Sequence, residues 1–86
     1  MATPISKLVS GANIETWDNN TNLNTVEAKT YLIDFRGITI GNLGICGSGF
    51  SLLTGLYTTQ FGISNWGIIY RYCETNLKNW TPWRFV

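Results

Sequence analysis

Eight of the nine glycines in this chain fall in one stretch, at positions 37, 41, 44, 47, 49, 55, 62 and 67. Inside a helix each would cost about 1 kcal/mol relative to alanine, so this half of the chain cannot be assembled from helices. Glycine is at home instead in turns, in bulges and wherever two backbones approach closely. Here it punctuates apolar pieces at 38–40, 43–46, 50–61 and 63. The pattern predicts short strands joined by tight turns. Residues 51–60 should form the longest of them, with Gly55 at a bulge or bend inside it.

The flanks carry a clearer β signal. In 30–36, Tyr31, Ile33 and Phe35 alternate with Leu32, Asp34 and Arg36 until Gly37 ends the run. In 66–74, Trp66, Ile68, Tyr70 and Tyr72 share one face, and Ile69, Arg71 and Cys73 the other. Both faces of that second strand are largely apolar, so a second layer or another subunit must cover the side turned away from the core. Residues 75–79 read as a turn and 80–86 as a terminal strand, with Pro82 placing it at an edge. Three residues apart, Trp80 and Trp83 would then point to opposite faces.

The N-terminal part reads differently. Ile5, Leu8, Val9 and Ala12 fall at i, i+3, i+4 and i+7 after Pro4, the stripe of a short helix or a connector over 1–16. The Asn- and Asp-rich stretch 17–25 follows as a boundary loop. The expected fold is therefore mainly β, a small antiparallel sandwich or sheet knob over 17–86, preceded by that connector or short helix.

Composition narrows the function. Charged residues make up 13% of the 86, against about 25% in ordinary domains. Uncharged polar groups or neighbouring subunits must therefore cover the surface, and nine Asn and eleven Thr supply such groups. The net charge is +1 and the basic residues stand singly, without the basic patch on which nucleic-acid affinity rests. No run of 18 apolar residues suggests a membrane span, and the broken apolar stretch near the N-terminus does not read as a signal peptide, so neither is expected.

Chemistry is sparse as well. Without a histidine, Ser-His-Asp and Cys-His nucleophilic systems are excluded. The five carboxylates form no close pair on a strand face, so a carbohydrate-cleaving reading would rest on Asp34 or Glu74. Cys46 and Cys73 have neither zinc nor redox spacing and read as buried free thiols, with a disulfide between them as the alternative. The glycines of 44–49 (GICGSG) run in the wrong order for a dinucleotide loop. No enzyme, metal or cofactor is expected. Twelve aromatic residues exceed what one small core can hide, and aromatic rings beside Asn and Thr suit recognition surfaces. Tyr57, Gln60, Asn65, Trp66 and Trp83 are the candidate contacts.

The order of several short phrases resembles the knob domains at the tips of bacteriophage tail fibres and R-type pyocin fibres. These are Asp18 to Thr25 as an Asp/Asn-rich opening, Thr30-Tyr31 at the first strand, Tyr57 to Gln60 in the middle, then Tyr70-Arg71, and Trp80 with Trp83 near the end. The likeness covers about residues 17–86, departing from the family's pattern where Lys29 or Ala28 stands in place of a glycine and around Cys46 and Cys73. It implies a homotrimeric knob on the virion that attaches the particle to a host cell-surface polysaccharide or protein, with Tyr70, Arg71 and Trp80 mainly structural. It also implies that the 86 residues are the C-terminal piece of a longer fibre. A purely structural fibre component is the other expectation.

Overall fold

A computed structural model describes residues 13–86 as one six-stranded sheet. The strands are β1 (Ile14–Asp18), β2 (Tyr31–Ile40), β3 (Leu43–Leu53), β4 (Tyr57–Ser64), β5 (Gly67–Glu74) and β6 (Arg84–Phe85), and they lie in the sheet in chain order. β1 runs parallel to β2, and every other pair is antiparallel. No helix occurs among the described residues, and the helical stripe from Ile5 to Ala12 lies outside them. β1 crosses the boundary expected between 16 and 17, because Trp17 is a core residue that needs a strand to hold it beside Phe35.

Two adjacent parallel strands need a crossover of about a dozen residues, and residues 19–30 provide it. Asp18 and Asn22 start tight turns there, their side-chain oxygens accepting the Asn20 and Asn24 amides at 2.9 Å. The crossover then lies over one face of the sheet, where Leu23 and Val26 pack on the core. That core is Trp17, Tyr31, Ile33, Phe35, Ile38, Ile40, Ile45 and Ile69, all from the same face.

One glycine brings the core to a single side. Gly37, with φ of 90°, does not end β2 as its sequence suggests; it forms a bulge where the pairing with β3 skips from Arg36 to Ile38. The extra residue reverses the alternation, so the odd positions Tyr31, Ile33 and Phe35 are joined on the buried face by Ile38 and Ile40. A second departure lies in the middle of the chain. Residues 51–60 are two strands rather than one, with Gly55 (φ 95°) in the β3–β4 turn. β3 is correspondingly longer, absorbing Gly44, Gly47 and Gly49. Gly49 and Gly62 face each other across β3 and β4, and the ring of Phe35 lies over the space that a side chain on Gly62 would need.

Candidate functional site

The core face closes around a buried cation. Arg71, only 4% exposed, has no carboxylate partner among the described residues. Its Nε donates to Gln60 Oε1 at 2.7 Å and a terminal nitrogen donates to the Leu23 carbonyl at 3.2 Å. The guanidinium also lies 4.1 Å from the ring centroid of Trp80 and 4.8 Å from that of Trp83. Planar, weakly hydrated and attracted to aromatic faces, it is the cation best suited to such a place. Burial pulls its pKa down to about 10, which leaves it charged at neutral pH.

Gln60 is the hub of this cluster. Fully buried, it faces Arg71 across β4 and β5 and Ser51 across β3 and β4. Its amide donates to Tyr31 Oη at 3.2 Å and to Ser51 Oγ at 3.4 Å, while Tyr31 Oη donates to the Glu27 carbonyl at 2.8 Å. Four strands, the 19–30 crossover and the C-terminal tail are thus joined through one set of polar groups. Trp83 also meets Trp17 edge-on at 6.2 Å, and its indole Nε1 is buried with no hydrogen-bond partner. Trp80 and Trp83 both flank Arg71, against the expectation of opposite faces. Residues 80–83 are not a strand, so the two-residue alternation does not apply to them.

Among the described residues nothing covers the other face. Leu32, Phe50, Phe61 and Tyr70 form a row across β2 to β5, with Phe50 and Phe61 stacked at 5.4 Å. Ile63 and Ile68 form a second row, Ile63 being 64% exposed. Leu52 and Tyr72 flank Thr59 in a third, and Tyr57 meets Tyr72 edge-on. The alternation read in 66–74 therefore holds, with Ile69, Arg71 and Cys73 buried and Ile68 and Tyr72 exposed.

Beside the core a cleft of about 350 Å³ opens between β1 and the crossover, lined by Glu15, Thr16, Thr21, Thr25, Glu27 and Tyr31 among others. Glu27 pairs at 3.2 Å with Lys29, both exposed. Nothing in the sequence marked this cleft, because it forms only when residues 21–27 fold back beside β1.

The five candidate contacts do not form one site. Gln60 is inaccessible, which corrects its reading as a receptor contact, and Trp83 is committed to the Arg71 cluster. Asn65 and Trp66 form the β4–β5 turn, and their side chains bond to β3. Asn65 Oδ1 accepts the Cys46 amide at 2.9 Å, and Asn65 Nδ2 and Trp66 Nε1 donate to the Gly44 carbonyl at 3.3 and 3.0 Å. The faces of the Trp66 ring remain half exposed. Tyr57 is exposed at the far end of β4, roughly 25 Å away by strand geometry. Cys73 is buried, as expected, but Cys46 is exposed on the opposite face, so the two free thiols cannot pair within one chain.

Asp34 is bound to Arg36 at 2.8 Å on the open face, and Glu74 stands at the end of β5. No group of three His, Cys, Asp or Glu side chains among the described residues could hold a metal ion. The class defined by these features is a small, mainly β module built on a single sheet, with one sealed face and one bare face. Comparison with protein-family models, curated proteins and solved structures finds no match.

Proposed function

We propose that the chain is the receptor-binding tip of a phage or pyocin tail fibre, non-enzymatic and homotrimeric, holding the virion to a polysaccharide or protein of the host cell surface. The observation that carries this reading is the Arg71 cluster. Tyr31, Gln60, Arg71, Trp80 and Trp83 come from four separate phrases of the fibre-knob pattern, and in this fold they meet in one buried network. Such a convergence gives the pattern a physical reason, since each phrase supplies a member of a single lock. The expected sandwich would then be completed between subunits rather than within one.

Contacts to the receptor would come from the surfaces that the lock leaves free. The cleft between β1 and the crossover offers carboxylate and hydroxyl groups of the kind that bind sugar hydroxyls, and the half-exposed Trp66 offers a stacking surface. Three copies would turn weak individual sites into firm attachment.

Binding of the fluorescently labelled protein to a panel of bacterial cells and to a glycan array tests the reading. Binding that weakens at least tenfold in Glu15→Ala or Trp66→Ala supports it. Silence across cells susceptible to the parent particle would favour a purely structural fibre component, a reading that the bare apolar face also suits. Breakdown of a bound polysaccharide, abolished by Asp34→Asn, would overturn the non-enzymatic part.

A further inference from the structure

We infer that the open face of the sheet is a self-association surface, buried in the working protein against further copies of the same chain. The proposed function calls for three copies without saying how they meet; this inference names the surface and takes only the number of copies from that reading.

The area points to a protein partner. Ile14, Phe50, Leu52, Ile63, Ile68 and Tyr72 are each 38–64% exposed, and at on the order of 80 Å² apiece they contribute roughly 500 Å². Tyr57 and the half-buried Leu32, Phe61 and Tyr70 raise the total to roughly 700 Å². The largest apolar patch on a monomer is about 300–600 Å², whereas one partner in a standard interface buries about 800 Å². This face lies at the interface end of that scale.

Its chemistry points to a copy of itself. Across β3 and β4 no charged side chain stands on the face. The charges of this face stand on the strands flanking β3 and β4: Asp18 on β1, the Asp34–Arg36 pair on β2, Glu74 at the end of β5 and Arg84 on β6. A charged partner would find nothing to complement at the centre, while an identical apolar surface matches it group for group. The relief suits mutual insertion as well. Leu32 separates two hollows, an apolar one of about 230 Å³ beside Phe50 and Leu52 and one of about 370 Å³ beside Ile14, Asp34 and Ser48. Ile63, the most exposed of the large apolar side chains on the face, stands free to enter the apolar hollow of a neighbour.

The test is the solution mass of the full chain by sedimentation at micromolar concentration, for the parent and for Ile63→Lys and Ile68→Lys. The parent is expected at about three times the 9.7 kDa of one chain, with at least a tenfold weaker association in each variant and an unchanged far-ultraviolet spectrum. Ile63 is exposed enough that lysine leaves the single chain intact, and Leu77→Lys, on the exposed 75–79 turn away from the face, should associate like the parent. A dimer dissociated by the same variants would support this surface while overturning the homotrimer of the proposed function. A parent that stays monomeric would overturn the inference, as would an assembly that both variants leave intact.

Discussion

The Arg71 guanidinium lies 4.1 Å from the ring centroid of Trp80 while its Nε donates at 2.7 Å to Gln60 Oε1. A full positive charge is therefore held in the core with no carboxylate beside it. Its lost hydration is replaced by two aromatic faces, an amide oxygen and one backbone carbonyl.

That arrangement makes the cost of substitution unequal. Gln60→Leu leaves the guanidinium buried without its best acceptor and should destabilise the fold by about 3 kcal/mol. Arg71→Met with Gln60→Leu removes both partners and should cost less than the sum of the two single changes, with a coupling of about 1 kcal/mol or more. Urea denaturation of the four proteins measures it. Strict additivity would mean that the two residues do not act as a unit.

Alkaline pH should loosen the same cluster through Tyr31. Burial is the main cause that raises its phenol above the ordinary value of 10.0. The unfolded phenol loses its proton first, so the stabilisation is fully present below about pH 10 and is lost as pH climbs towards the folded value. Arg71 acts in the opposite sense, because its folded pKa is lowered towards about 10, and stability rises as its buried charge is relieved. Comparing Tyr31→Phe with the parent isolates the phenol: the urea midpoint of the parent should fall more steeply above about pH 10. Parallel curves would remove Tyr31 from the account.

Packing around Gly62 should tolerate no added atom. Alanine there drives its methyl group into the Phe35 ring and the expected loss is about 2 kcal/mol, a fall in melting temperature of about 10 °C for a domain of this size. Gly44→Ala meets nothing within 4 Å and has no positive φ, so it should leave the melting temperature nearly unchanged. Equal effects of the two substitutions on thermal unfolding would contradict the observed placement of Phe35.

The two thiols should behave as different chemical species. Cys46 is exposed, whereas Cys73 is 1% exposed and burial raises its pKa, which lowers its thiolate fraction. Mass spectrometry after brief alkylation of the folded Ile63→Lys chain, in which the open face is uncovered, should find one modified cysteine, Cys46, with Cys73 reacting only in denaturant. Rapid double labelling would show that the 66–74 strand does not keep its inner face closed.

Much of the sheet was legible because period-two patterning is a local property. The alternation in 30–36 and 66–74 marks β5 within a residue of its ends and β2 as far as Arg36, four residues short of its end, and it sorts the side chains of both strands into the right two faces. The glycines were harder to read, since a lone glycine looks the same at a bulge, at a turn or under an aromatic ring. Gly37, Gly55 and Gly62 take those three roles here. Gln60 was singled out as a surface contact although its neighbours on three strands bury it completely.

By itself, then, the sequence determined that the chain is mainly β, that histidine chemistry is absent, and that β5 carries two apolar faces. Composition and alternation express such properties residue by residue. Tertiary structure alone decided that the bulge at Gly37 gathers the core on one face and that Arg71 sits in an aromatic clamp. It also decided that residues 19–30 form a cleft against β1. These depend on register and on contacts between distant segments, and register emerges only when the strands pair.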